Sequence, residues 1–270
     1  MHDCRGTRLG MTRICRVLLV ALVAPSTAQA GAWTQATDET IVISKLTVTT
    51  APQAFAVTGE AQEGASFSKT EVETYLEYGW RETVTLIGRV NWQDTIAGSD
   101  RQTGFTAFEV GARTRFWRFT NGSVFSAQAS IIFPGRRYDR NTPLLTSGNT
   151  DYDIRLLQGV PTTFFGFSGF SDFQLAYRYR TGNAPNEARF DATLGIHAAP
   201  NWLVLLQSFN INSVGGAEPP FTAYRSNKLQ GSIRWQFARG RFVEIGGVRT
   251  IAGVQTVRET GGLISFWATF

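Results

Sequence analysis

The sequence predicts an all-β fold: a transmembrane antiparallel up-and-down β-barrel of twelve strands. Four observations carry that expectation. From Thr40 onward, segments of ten or so residues alternate apolar and polar side chains and then stop at a turn. A period of two means β-structure, because successive side chains point to opposite faces. Mean hydropathy is only slightly negative, as expected of a wall that alternates its two faces. After residue 30 no apolar run approaches the ~20 residues that a membrane-crossing helix needs. Finally, the chain ends on Phe270, with Ala268, Phe266, Ile264 and Gly262 before it at spacing two.

Residues 1–30 read as a secretory signal peptide and residues 31–270 as the barrel domain. Arg5, Arg8, Arg13 and Arg16 form a basic region, Val17 to Val23 a short apolar one, and Ala28-Gln29-Ala30 a small-residue cleavage site. Met11 offers a second start that leaves a more compact signal. Cleavage removes both cysteines, Cys4 and Cys15, so the mature chain has no disulfide framework and no Cys-based metal site. It also removes four of the 26 basic residues and one of the 21 acidic ones, leaving a net charge of +2. No basic stripe remains for a nucleic-acid partner.

The strands follow in order. The first is Ile41–Thr50. In the second, Phe67–Gly79, Lys69, Glu71, Glu73, Tyr75 and Glu77 oppose Val72, Leu76 and Tyr78. The third, Thr83–Gln93, sets Val84, Leu86, Val90 and Trp92 against Thr85, Arg89 and Asn91. The fourth, Phe105–Trp117, sets Phe108, Val110, Ala112 and Phe116 against Glu109, Arg113 and Arg115. Ser123–Phe133 carries an apolar face from Phe125 to Phe133, and Tyr152–Val160 is the weakest of the first half. Phe170–Arg180 opposes Phe173, Leu175 and Tyr177 to Asp172, Gln174 and Arg178. Ala188–His197 opposes Phe190, Ala192, Leu194 and Ile196 to Arg189, Asp191, Thr193 and His197. Trp202–Ile211 is nearly all apolar, and its faces are not fixed by pattern. Tyr224–Phe237 sets Leu229, Ile233, Trp235 and Phe237 against Lys228, Gln230, Ser232 and Arg234. Arg241–Ile251 and Thr260–Phe270 complete the set.

Connections alternate in length. Those after strands two, four, eight and ten are short, and those after one, three, five and nine are longer, including Ala51–Ser66 and Pro134–Thr150. Outer-membrane barrels have short periplasmic turns and long outer loops. Trp80, Trp117, Trp202, Trp235 and Trp267 fall at periplasmic strand ends, and Trp92 at an outer end. Indoles favour the membrane interface, having an apolar body and one polar N–H.

Closure is required because an open sheet edge in hydrocarbon leaves each N–H and C=O unpaired at several kcal/mol. The charged face must then line the lumen: Lys69, Glu71, Glu73, Glu77, Arg89, Glu109, Arg113, Arg115, Asp172, Arg178, Arg189, Asp191, Lys228 and Arg234, with His197 on the same face. Turning an Arg or Lys among them to lipid at the midplane would cost ~2–4 kcal/mol. The signs are mixed, so ion pairs are expected, including Arg89 with Glu71 or Glu73. Twelve strands imply a narrow or plugged lumen, between the filled eight-stranded and open sixteen-stranded cases.

Gly31-Ala32-Trp33-Thr34, Tyr75-Leu76-Glu77-Tyr78-Gly79 and the block Ala176–Asn210 resemble the MetA-pathway-of-phenol-degradation family of outer-membrane proteins. The resemblance implies a barrel that passes small, often hydrophobic compounds, and it supplies no catalytic residue. On this reading the chain is a channel or transporter in the bacterial outer membrane, without enzymatic activity, cofactor or metal. Its partners are outer-membrane lipid and lipopolysaccharide, a small solute, and the assembly machinery. Phe266 and Phe270 form the terminal recognition signal for that machinery, since a strand edge at a chain end can add to another sheet. Arg136, Arg137 and Arg140 in the fifth connection offer bidentate contacts to lipopolysaccharide phosphates. Two alternatives stay open: a membrane-embedded hydrolase using His197, and a non-transporting structural or adhesion barrel built on the long loops.

Overall fold

The computed structural model describes residues 31–135, 148–219 and 221–270. Its architecture is one closed antiparallel sheet. β1 (Thr40–Phe55), β2 (Ala61–Arg81), β3 (Val84–Ala97), β4 (Asp100–Arg118), β5 (Val124–Pro134) and β6 (Asp151–Phe164) follow one another around the wall. β7 (Phe167–Arg180), β8 (Asn186–Ala199), β9 (Trp202–Val214), β10 (Arg225–Ala238) and β11 (Arg241–Val254) continue it. β13 (Thr260–Thr269) pairs with both β11 and β1, so twelve long strands make a barrel with no free edge. β12 (Thr256–Val257) is a two-residue addition to the outer end of β1. The seam is finished at the periplasmic end by a reciprocal pair: Thr40 N–H to Phe270 O at 3.2 Å, and Phe270 N–H to Thr40 O at 2.9 Å.

The outer wall is the apolar face that periodicity assigns to lipid. Ile154, Leu156 and Leu175 are each about 60% exposed without lipid around them, and Val110, Leu206, Ile233 and Ile245 also face out. Trp202 stacks on Trp235 at 5.9 Å and 19°, at one level of the periplasmic rim. The faces of β9, which pattern leaves open, are fixed by register. Phe209 pairs with Asp191 and with Lys228, both lumen residues. Leu203, Leu205, Phe209 and Ile211 therefore turn inward, while Trp202, Val204 and Leu206 turn to lipid.

Two expected connections are much shorter than their composition suggests. Ala51–Ser66 is not a long loop. β1 and β2 continue to Phe55 and Ala61, leaving a tight turn with Ala56 O accepting from Gly59 N–H at 3.0 Å. A bulge between Ala51 and Gln53 breaks the alternation without ending the ladder. A loop reading is what a broken period looks like in sequence. Likewise β3 and β4 join through Gly98 and Ser99, with Ala97 opposite Asp100 and Gly98 at φ +62°. Arg136, Arg137 and Arg140 lie outside the described residues.

Interior packing concentrates at the periplasmic end. Ile41, Ile43, Tyr75, Ile87 and Phe242 form one buried cluster; Ala32, Val124 and Leu157 form a second; Phe170, Leu203 and Leu205 form a third. The indole of Trp33 packs against the last two, so residues that precede the first strand are part of the barrel's core.

Candidate functional site: an N-terminal segment bonded inside the lumen

Residues 31–39 do not hang below the barrel. They run into it and bond to five of its strands. Ala32 N–H donates to Asp172 Oδ2 on β7 at 2.6 Å, and Ala32 O accepts from Ser126 Oγ on β5 at 2.5 Å. Trp33 O accepts from Arg113 on β4 at 3.2 Å. Gln35 N–H donates to Thr85 Oγ1 on β3 at 2.8 Å, and its side-chain amide donates to Glu77 on β2. Ala32 N–H and O, Trp33 O and Gln35 N–H thus find partners on the wall, as burial requires.

Two glycines of the wall make room for it. A Cβ at Gly159 would lie 2.7 Å from the Trp33 ring, and one at Gly79 would lie 1.8 Å from Ala36 O. The indole meets Phe170 edge-on, with centroids 5.8 Å apart and planes at 87°. That geometry suits the ring quadrupoles.

Beneath the segment sits a fully buried ion pair. Arg113 and Glu77, 3% and 0% exposed, are 2.9 Å apart. Tyr75 Oη donates to Glu77 at 2.7 Å, and Gln128 accepts from Arg113 at 3.3 and 3.2 Å. A charge pair taken out of water persists only with such surrounding bonds.

Above this layer the lumen is lined by two charge ladders. On β1–β4, Lys45 meets Glu73 at 3.1 Å, while Arg89 bridges Glu73 at 3.6 Å and Glu109 at 3.4 Å. Lys69 reaches Glu71, and with Lys228 it clamps Glu259 at 3.4 and 3.0 Å. On β6–β8, Arg178 meets Asp153 at 3.2 Å, Arg155 meets Asp191 at 2.9 Å, and Arg180 and Arg189 share Glu187. Tyr224 Oη also donates to Glu187. β9, diametrically across the barrel from β3, carries the apolar strip already described.

Sequence reasoning places most of these residues on the lumen side, where the structure also has them. Arg89 lies opposite Tyr75, not Glu71 or Glu73, because the hairpin turns at Glu82 and Thr83, beyond Arg81, with a one-residue bulge between Gly79 and Arg81. It reaches Glu73 diagonally. Arg115 sits at the periplasmic mouth and pairs with Glu82 at 3.2 Å. His197 lies in register with the inward Leu203. Arg234 stacks over Phe242 and Trp267 at 4.8 and 4.6 Å.

One residue is a correction. Trp267 is not a membrane-interface aromatic; its indole lies inside, donating to Glu244 at 3.0 Å and packing on the Ile41–Phe242 cluster. The reason is parity: Phe266 faces lipid, so its neighbour must face in. Trp80, Trp117, Trp202 and Trp235 do face outward. Trp92, in register with the exposed Val72 and Phe105, lies at the outer end. Phe266 and Phe270 are exposed on the outer wall.

Lys45, Arg155, Asp153, Glu244 and Glu259 are lumen charges that the pattern passes over. Lys45 and Glu244 sit on strands read without their faces. Glu259 lies just before the last strand. The N-terminal segment is the larger omission, for it has no periodicity to read.

No family model and no curated protein matches the chain. Solved structures do. An outer-membrane channel from Pseudomonas putida F1 superposes with a TM-score of 0.70 at 12% identity, covering 90% of this chain and 100% of that one. The KdgM porin superposes with a TM-score of 0.52 at 9% identity, covering 84% of this chain and 99% of that one. The likeness is one of fold: this chain is a closed twelve-stranded β-barrel of the bacterial outer membrane.

Proposed function

We propose that the protein is an outer-membrane channel for small solutes, held closed at its periplasmic end by residues 31–39. The observation that carries this is the seating of that segment across the lumen on Asp172, Ser126, Arg113, Thr85 and Glu77. A barrel that only anchored loops would have no use for a separately bonded stopper. The resemblance to the MetA-pathway-of-phenol-degradation family and the channel likeness of the two solved barrels support the same reading. The lumen has a charged side on β1–β4 and β6–β8 and an apolar side on β9. That pairing fits a small, partly hydrophobic solute better than a bare ion.

The test is conductance in planar bilayers and solute uptake in proteoliposomes, comparing the whole mature chain with one lacking residues 32–38. The whole chain is expected to show small, brief openings, and the shortened chain a conductance several times larger. No conductance from either would remove the channel reading.

A further inference from the structure

Asp172 is a buried carboxylate without a cation. It is 2% exposed, and its partners are two neutral donors: Ala32 N–H at 2.6 Å and the Gln174 amide at 2.6 Å. Among the described residues no Lys or Arg nitrogen lies within ion-pair distance of it. The cations whose field it feels, Arg113 and Arg155, hold Glu77 and Asp191 instead. A buried, unpaired charge is one of the costliest features a fold can keep.

The chain itself brings the missing cation. Gly31 is pressed against this carboxylate: a Cβ there would lie 2.8 Å from Oδ2 and 3.1 Å from Cγ. Its nitrogen is two bonds from that point. Within the precursor this nitrogen is a neutral amide. The signal-cleavage site Ala28-Gln29-Ala30 ends immediately before it. Hydrolysis of the Ala30–Gly31 bond leaves a carboxylate on Ala30 and an amine on Gly31, which takes up a proton at neutral pH.

We infer that Asp172 is the binding site for the α-ammonium of Gly31, and that export processing thereby locks the occluding segment in the lumen. Before cleavage only neutral donors of the segment reach the carboxylate at this point. After cleavage the donor is itself charged, and the contact becomes an ion-paired hydrogen bond, the stronger kind. The precursor, with its targeting segment still attached, lacks the lock. Glycine at 31 follows from the same geometry, since any side chain would collide with the carboxylate it must approach.

The test uses mature protein extracted from outer membranes in detergent, beside an Asp172→Asn variant. Each is acetylated briefly at neutral pH, and the N-terminal peptide is analysed by mass spectrometry. The peptide is expected to begin at Gly31. Its α-amine is expected to react about tenfold more slowly in the natural protein than in the variant, as a one-unit rise in its protonation midpoint gives. A mature chain that begins elsewhere overturns the inference. So does equal reactivity, whether fast because the segment is unseated or slow because burial alone protects it. If Asp172→Asn does not assemble, Gly31→Ala replaces it: its Cβ pushes the carboxylate aside, and the same outcomes apply. The readout does not depend on conductance, so it stands apart from the channel test.

Discussion

A Cβ at position 159 decides whether Trp33 can stay where it is. Glycine leaves the space that the indole fills, and valine would thrust three carbons into it. Gly159→Val is therefore expected to unseat Trp33 and raise single-channel conductance, with the barrel still folded by circular dichroism. Glu77→Gln acts on the ion pair beneath the segment. It leaves Arg113 charged and buried with no carboxylate, a change that costs about 3–5 kcal/mol. The variant is expected to unfold at a lower temperature in detergent, followed by the loss of the compact band on unheated gels. Both Glu77 and Arg113 are legible as lumen residues from alternation. Their pairing is not, because β3 lies between their strands and register speaks only for neighbours. Trp267 shows the same limit from the other side. Composition at a strand end suggests an interface aromatic, whereas alternation from Phe266 already turns it inward.

At the scale of elements, each of the twelve long strands is legible in its central part, because most have one lipid face and one polar face, while several run beyond the bounds the pattern gives them. Misreadings cluster where bulges break the period, after Ala51 and beside Trp92. β9 could not be oriented from sequence, since both its faces are apolar over Trp202–Leu206. Only pairing with Asp191 and Lys228 orients it. The final strand makes its own prediction. Phe270 is 68% exposed and contributes to closure mainly through its backbone, with Arg241 over its ring at 4.4 Å. Deleting Phe270 is expected to reduce the amount of barrel in the outer membrane several-fold in cells. The same chain refolded in detergent should close nearly as well as the natural one. Equal membrane levels would show that the terminal aromatic is not an assembly signal. The two-residue turn at Phe165 and Gly166, with φ of +50° and +85°, is the primed geometry a tight hairpin needs.

For the whole molecule, the division of charge between lumen and lipid is what holds the barrel in one arrangement. Leu206 lies midway between Trp202 at the periplasmic rim and Asn210 towards the outer one, and it faces lipid. Leu206→Arg is expected to destabilise the barrel by ~2–4 kcal/mol, read from reversible unfolding in lipid vesicles. An arginine at Gln207, one residue along, faces the lumen and should cost far less. A similar loss at both positions would contradict the assigned faces.

The strand count, the inward face of most strands and the membrane they belong to can be read along the chain. Those properties are written in a local period and in the cost of placing charge in hydrocarbon. Only the folded contacts seat residues 31–39 on the inner wall, leave Asp172 with neutral donors, and bring Arg113 to Glu77. These contacts join residues far apart in the chain across an interior space. Alternation along a strand reports which side of the wall a side chain occupies, and carries no information about what lies opposite.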